Sequence, residues 1–297
     1  MKTKFVGAAC ALIVTAGLAG CAGNAGNAEA TGRPVVRLAV TEMKGMEQLQ
    51  REFAAFEAEL EERADVEIEL YPVSDRAAAA VALVSDQVDL VFTGPAEYVV
   101  MAARAEVEPV VGIRRPGYSS CIWTTSESGI TDLADLVGTT VAMEDIGSTS
   151  AHLGPSQILA DAGIDPLEDL EVVFVGGAMQ EALERGDVAA VGAGCHDYEE
   201  FLAAGDPADF VLLEHGSQLP DDVILARAGF DDEVVERIRA AFNDSWEDLR
   251  EAMVTGEENE KFAEATLVPA PSDGDYDVVR SMYQTVGVDD FAEFIGE

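Results

Sequence analysis

From residue 35 onward, the apolar positions follow two patterns that alternate along the chain. Residues 35–40 form an apolar run, residues 66–70 alternate between apolar and acidic positions, and residues 88–92 are again mostly apolar, which predicts strands. The stripe typical of an amphipathic helix lies between the first two runs, at Met46, Leu49, Phe53, Phe56 and Leu60. Another helix is predicted to begin at Pro95, since proline is favoured at the first helical position. This order of elements favours a mainly parallel sheet covered by helices on both faces.

The same alternation restarts after Arg114-Arg115-Pro116-Gly117. Strand-like runs separated by helical patterns lie at residues 120–124, 140–143, 170–175, 188–193 and 210–213. Two α/β halves of similar size indicate two lobes with a cleft between them. Ligands of such sheets bind outside the carboxyl ends of the strands, where helices begin, so we expect a site in this cleft.

The first 20 residues have the composition of a targeting segment. Two lysines precede an apolar stretch at residues 5–18, which is shorter than the roughly 20 residues of a membrane span. The stretch closes at Leu18-Ala19-Gly20-Cys21, which resembles the lipobox of bacterial lipoproteins, where the cysteine carries the lipid. We predict a signal peptide at residues 1–20, lipidation of Cys21 and a tether at residues 21–33. The protein would then be extracytoplasmic, in the periplasm or on the outer face, and attached to the membrane by its lipid alone.

The charge balance narrows the choice of partners. With 18 Lys and Arg against 57 Asp and Glu, the net charge is −39. The acids are spread along helix faces, as at residues 57–62, which indicates a folded acidic surface and resembles proteins adapted to high salt. The sequence has no basic stripe that would neutralise phosphates, so nucleic acid is excluded as a partner. Arg114 and Arg115 either raise the potential of the cleft for an anion or are ordinary solvated side chains.

Two transitions from strand to helix carry candidate chemistry. Ser148, Thr149 and Ser150 precede a predicted helix, where hydroxyls, free N–H groups and the helix dipole favour an anion. The alternative is an ordinary N-cap. In the second transition, Gly94 lets the backbone approach a ligand, and Tyr98 lies one turn into the helix. Tyr98 either presents its hydroxyl to the ligand or is a buried structural residue.

Five motifs occur in order at residues 89–98, 118–120, 129–138, 147–150 and 184–190. Together they resemble the phosphate-, phosphite- and phosphonate-binding proteins of ABC importers, over about residues 34–290. The resemblance implies an α/β, two-lobed type II periplasmic-binding fold, with two mainly parallel sheets joined by a hinge of two crossover strands. Lobe one would comprise residues 34–113 plus 228–297, and lobe two residues 114–227.

The resemblance also implies the site residues and the partners. The oxygens of a small phosphate-, phosphite- or phosphonate-type anion would contact Ser148, Thr149 and Ser150, with Tyr98 facing them from the other lobe. Further ligand-binding candidates are Thr93, Met43 and Tyr118. A binding protein of this kind is expected to be monomeric, to deliver its ligand to an ABC transporter permease, and to need no metal or cofactor. It would not be an enzyme, and the sequence has no Gly-x-Ser-x-Gly or His-Glu-x-x-His motif.

Two features leave alternatives open. Where many relatives carry a histidine this chain has Ala178, and His152 either compensates for it or only caps or packs its helix. Cys121 and Cys195 form a disulfide in an oxidising compartment, or they bind a soft oxyanion such as arsenite. In the second case the protein would be the ligand-binding sensor partner of a receptor kinase.

Overall fold

The computed structural model describes the chain at residues 32–73, 76–269 and 271–294, without the side chains of Glu42, Lys44 and Arg76. The predicted signal peptide, the lipidation site at Cys21 and most of the predicted tether lie outside these ranges. Within them, no helix has the length and apolar character that a membrane crossing requires.

Strands and helices alternate through most of the described chain. The strands are β1 Val35–Lys44, β2 Glu67–Val73, β3 Leu90–Thr93, β4 Val107–Arg114, β5 Ser120–Thr125, β6 Thr140–Met143, β7 Glu171–Phe174, β8 Ala190–Gly194, β9 Phe210–His215, β10 Asp222–Arg227 and β11 Thr266–Val268. The α-helices are α1 Met46–Ala64, α2 Arg76–Val84, α3 Pro95–Arg104, α4 Gly154–Asp161, α5 Met179–Glu184, α6 Cys195–Ala204, α7 Asp232–Met253 and α8 Asp277–Thr285.

The strands form two sheets, one in each lobe. The first has the order β11-β4-β10-β3-β1-β2 and the second has the order β7-β6-β8-β5-β9. The predicted two-lobed α/β fold is confirmed, but the prediction that both sheets are mainly parallel is wrong, because each sheet is mixed. Each sheet is parallel on one side, where β1 pairs with β2 and β3, and β6 pairs with β7 and β8. The other side is antiparallel, because the strands that lead into and out of the hinge run against their neighbours.

Two segments connect the lobes. Strand β4 passes into β5 through residues 115–119, and β9 passes into β10 through residues 216–221. These crossovers bond to each other, since Leu219 N–H donates to the Tyr118 carbonyl at 2.8 Å. The predicted lobe boundary at residue 227 needs correction, because β10 lies between β3 and β4 in the first sheet. The apolar run of β10 fits the interior of either sheet, so its composition could not indicate which sheet it joins.

In each lobe, apolar helix faces pack against the sheet. Phe53 and Phe56 of α1 contact each other, and Phe56 also contacts Phe242 of α7 on one face of the first sheet. In lobe two, the ring of Trp123 in β5 packs against Tyr198 and Phe201 of α6. In both lobes, helices therefore pack closely on buried strands. This packing fixes the positions of the strand ends at the cleft.

A disulfide joins Cys121 in β5 to Cys195, the first residue of α6. The disulfide, one of the two alternatives for these cysteines, is thus present in the structure. Bonded sulfurs offer no thiolate, so in this state they cannot coordinate a soft ligand. A native disulfide contributes typically about 2–4 kcal/mol to stability, and this one fixes the start of α6, where His196 and Asp197 line the cleft.

Candidate ligand-binding cleft

A cavity of about 830 Å³ lies between the two lobes. Its walls include five of the residues predicted to bind the ligand, which are Met43, Tyr118, Ser148, Thr149 and Ser150. The other two lie behind the wall. Thr93 is buried, and its hydroxyl lies 3.1 Å from that of Thr41, which does line the cavity. Tyr98 is buried in the core of lobe one.

The lobe-two wall contains the start of a helix. A single π-helical turn, Thr149–Leu153, leads directly into α4. Ser148 caps this turn, and its hydroxyl oxygen accepts from the Ala151 N–H at 3.3 Å. Ser150 also lines the cavity; its carbonyl accepts from the Ser120 hydroxyl, while its own hydroxyl makes no hydrogen bond with another residue that the structure describes. The first N–H groups of a helix also lack acceptors within it, so hydroxyl and backbone donors converge here.

Two contacts hold the preceding residue, Gly147, in place. Its N–H donates to Nδ1 of His152 at 2.9 Å, and its backbone has a φ of +83°, a conformation that favours glycine. On the other side lies the ring of Phe294, whose nearest atom would be 2.7 Å from a Cβ added at Gly147. Burial lowers the pKa of His152 to about 4, so the imidazole is neutral and accepts this bond at neutral pH. His152 thus packs and holds the loop, one of the two alternatives for this residue.

The two lobes touch at the helix starts. The N–H of Ala96, in the first turn of α3, donates to Oγ1 of Thr149 at 3.0 Å. A second contact lies further along, where the hydroxyl of Thr285 in α8 donates to Oε1 of Gln157 in α4 at 2.7 Å. The start of α3 and the serine- and threonine-rich loop therefore face each other across the cleft, as expected for a site formed by two helix starts.

Tyr98 does not face the cleft, which corrects the prediction that its hydroxyl meets the ligand. Its hydroxyl donates to Oδ1 of Asp273 at 2.8 Å, and its ring stacks on Tyr276 with centroids 4.1 Å apart. Burial, together with the bond to Asp273, raises the pKa of Tyr98 well above its usual value, so the hydroxyl remains a donor. The physical reason is helix geometry. Successive side chains of an α-helix point in directions about 100° apart, and here it is the residue before Tyr98 that faces the cleft.

That neighbour is Glu97. It lines the cavity although only 5% of the residue is exposed. Its Oε2 folds back over Gly94, the residue that precedes α3, and would be 2.9 Å from a Cβ added there. No side chain caps α3 by a hydrogen bond at this glycine. The lobe-one wall therefore presents a carboxylate, a pure hydrogen-bond acceptor when ionised, at the positive end of a helix.

Arg115 brings the hinge into the site. Its guanidinium forms a nearly buried ion pair with Asp222, with Nε 2.6 Å from Oδ2 and Nη2 2.9 Å from Oδ1. It also lies over the ring of Tyr118, 3.6 Å from the centroid. Arg114 points outward and pairs with Asp221. Of the two hinge arginines, Arg115 is thus the one that lines the cleft, at the start of the first crossover.

The charged side chains that the structure describes along the cleft are mainly acidic. Among the described residues that line it, the acids outnumber Lys and Arg, since Glu97, Glu144, Asp145, Asp197 and Glu258 face only Arg115 and Lys261. Burial and repulsion from Glu200 raise the pKa of Asp197 to about 6, while a backbone hydrogen bond from Gly194 and the charge of Lys261 act in the opposite direction. Each of these described carboxylates repels an anion near it, so we expect an anion to bind where donors converge.

Glu97 and Lys261 were not among the predicted site residues, and the signals for them were weak. Glu97 belongs to the same motif as Tyr98. The hydrophobic pattern does not show which side of α3 faces the cleft, because residues 95–101 are all buried. Lys261 lies in a short 3₁₀-helix, Glu257–Phe262, that reaches the cleft from the far end of the sequence. His196 was signalled by its place at a strand end, where cleft residues are expected.

Known protein families and sequences similar to this chain are binding proteins or import proteins of transporters. Residues 38–266 match a family model described as ABC transporter, phosphonate, periplasmic substrate-binding protein. The phosphate-import protein PhnD of Mycolicibacterium smegmatis is 25% identical over an alignment of 310 residues, which covers 94% of each chain.

Solved structures are similar in fold. PhnD1 from Prochlorococcus marinus, in complex with methylphosphonate, has a TM-score of 0.66 at 15% identity, covering 85% of this chain and 98% of its own. A binding protein component of an ABC phosphonate transporter from Pseudomonas aeruginosa has a TM-score of 0.64 at 16% identity, with 84% and 85% covered.

Proposed function

The chain belongs to the family of periplasmic phosphonate substrate-binding proteins of ABC transporters, and on this premise we propose that it captures a small phosphate-, phosphite- or phosphonate-type oxyanion between its lobes. The observation that carries the proposal is the start of the lobe-two helix, where Ser148, Thr149 and Ser150 line the cavity. The family consists of binding proteins rather than enzymes, so the expected activity is reversible capture and delivery to a permease.

The physical basis is the convergence of neutral donors in a cleft whose described charged side chains are mainly acidic. Hydroxyl protons, first-turn N–H groups and the helix dipole all favour an anion at Ser150. Each hydrogen bond to a charged group is worth about 1.5–3 kcal/mol, enough to offset repulsion from more distant carboxylates. The Ser150 hydroxyl makes no bond with another described residue, so binding an anion there costs no existing interaction of that group.

The proposed location follows from the N-terminal segment. We propose that cleavage after Gly20 leaves Cys21 lipidated, so that the monomeric protein stays near its permease while the cleft remains in the extracytoplasmic space. The soft-oxyanion alternative loses support because Cys121 and Cys195 are bonded to each other.

Titration calorimetry in molar sodium chloride would test the proposal, with phosphate, phosphite, methylphosphonate and arsenite as ligands. Wild-type protein should bind at least one phosphorus oxyanion with one-to-one stoichiometry. The double variant Ser148→Ala/Ser150→Ala should bind it at least about tenfold more weakly, because about 1.4 kcal/mol corresponds to a factor of ten.

Tyr98→Phe is the matched control, since it removes a hydroxyl near the opposite helix start, that of α3, and this hydroxyl faces the core of lobe one. Its affinity should equal that of the wild type, while its stability falls by about 1 kcal/mol through loss of the bond to Asp273. Unchanged affinity in the double variant, or a wild type that binds no phosphorus oxyanion, would refute the proposal.

A further inference from the structure

The α8 segment, residues 277–294, is attached to lobe one. The guanidinium of Arg104 in α3 donates from Nε to the Ala292 carbonyl at 2.8 Å and from Nη2 to the Phe294 carbonyl at 2.7 Å. The ring of Tyr283 is buried in the core of lobe one and packs against the ring of Phe294, with centroids 5.0 Å apart. We therefore expect the segment to move with lobe one when the hinge bends.

The same segment also contacts lobe two at two places. The ring of Phe294 lies against the backbone of Gly147, where its nearest atom would be 2.7 Å from an added Cβ. Further along, the hydrogen bond from Thr285 to Gln157 joins α8 to α4. The α8 segment thus spans the cleft, although its attachment is to lobe one.

The contact at Gly147 lies next to the proposed anion site. Gly147 directly precedes residues 148–150, and Phe294 lines the same cavity. The ring is half-buried, and it lies this close to the loop because glycine has no Cβ. A hinge motion that separates the lobes takes the ring away from the loop, and the apolar surface of the contact then becomes exposed to water. This contact therefore stabilises the closed arrangement of the lobes.

We propose that Phe294 is a positioning residue for ligand binding, because its ring holds the loop at Gly147 against lobe one and so raises the fraction of protein molecules with a closed cleft. This inference rests on the proposed function for its ligand, but the separation of the lobes can be measured without any ligand. When only the closed arrangement binds, the apparent affinity is the intrinsic affinity multiplied by the closed fraction. Loss of the ring should therefore weaken binding although every hydrogen-bond donor of residues 148–150 is still present.

Titration calorimetry in molar sodium chloride tests this inference, with inorganic phosphate and methylphosphonate as ligands. Phe294→Ala should bind them at least about tenfold more weakly than the wild type, through a fall of the closed fraction by the same factor. Phe294→Leu keeps a large apolar side chain and should recover most of the affinity, to within about threefold of the wild type.

Phe291→Ala is the matched control, since it removes another ring of the same segment. Phe291 also packs against Tyr283, with centroids 5.7 Å apart, and it is not one of the described residues that line the cavity. The atoms nearest to an added Cβ at Gly147 belong to Phe294 and Tyr283. Phe291→Ala should lose stability but keep its affinity within about twofold of the wild type.

Small-angle X-ray scattering of the ligand-free proteins measures the separation of the lobes. The radius of gyration should be larger in Phe294→Ala than in the wild type and in Phe291→Ala, and saturating methylphosphonate should remove the difference. Wild-type affinity in Phe294→Ala, an equal loss of affinity in both alanine variants, or an unchanged radius of gyration would overturn the inference. If the wild type binds neither ligand, the proposed function fails, while the scattering still decides whether Phe294 holds the lobes together.

Discussion

The starts of two helices face each other across the cleft, and their chemistry is opposite. In lobe two, the helix start presents the hydroxyls of residues 148–150 and is held from behind by His152. In lobe one, α3 begins at Gly94-Pro95 without a side-chain cap, and the carboxylate of Glu97 lies over this end. Both are transitions from a buried strand to a helix, a location that often binds anions. Only the side chains decide whether the wall donates or accepts.

The largest difference between the two helix starts is expected in the stability cost of replacing the glycine that precedes each of them. Gly147→Ala places a Cβ in the left-handed region and against the ring of Phe294, and we expect a loss of about 2–4 kcal/mol in the free energy of unfolding. At Gly94, where φ is −80°, a Cβ causes no backbone strain and would lie 2.9 Å from Oε2 of Glu97 and 3.7 Å from Oδ1 of Asp222, so Gly94→Ala should cost less, about 1 kcal/mol.

Denaturant unfolding of the two variants in molar salt measures both costs under the same conditions. Similar losses in the two variants would show that the lobe-two start is no more constrained than the lobe-one start.

A second prediction concerns pH, because His152 supports the lobe-two start only while it is neutral. Its folded-state pKa, about 4, lies below the usual 6.5. The unfolded chain therefore takes up the proton more readily, and the stability that this histidine contributes above pH 6.5 is lost as the pH falls towards 4. With 1.36 kcal/mol per pKa unit, the loss should reach roughly 2–3 kcal/mol.

Asp197 acts in the opposite direction in an overlapping range. Its raised folded-state pKa, about 6, means that the folded protein gains stability from it as the pH falls from about 6 towards 4. The difference between wild type and His152→Asn isolates the histidine, because Asn offers Gly147 an acceptor that does not titrate. Unfolding free energies measured between pH 7 and 4 should converge for the two proteins at low pH. Parallel profiles would contradict the assigned role of His152.

The smallest effect is expected at the contact that joins the two starts. Thr149→Val removes the acceptor of the Ala96 N–H while keeping the shape, which should lower the free energy of unfolding by about 1 kcal/mol. Thr149→Ser keeps the hydroxyl and should retain most of that stability. Equal losses in the two variants would assign the effect to packing of the Thr149 methyl group instead of the hydrogen bond between the lobes.

The sequence was informative wherever a residue's role depends on local order. The alternation of strands and helices predicted two lobes, and residues 148–150 were placed at a helix start from their neighbours alone. The phase of α3 could not be predicted in this way, since residues 95–101 are buried on every side and no polar face marks the cleft. Likewise, the position of β10 depends on hydrogen bonds to β3 and β4, strands more than 100 residues earlier in the chain.

The position of β10 also constrains the order in which the chain can assemble. Strands β3 and β4 are synthesised early, but both pair with β10. They can do so only after residues 222–227 have been synthesised, which come after the whole of lobe two. Until then the inner edges of β3 and β4 are open, and open edges can pair with other chains. Lobe two, by contrast, is one continuous segment, which its disulfide can close as soon as that segment has reached the oxidising compartment. A nascent chain would therefore complete its second lobe before its first, and lobe one is the part that needs protection from aggregation during export.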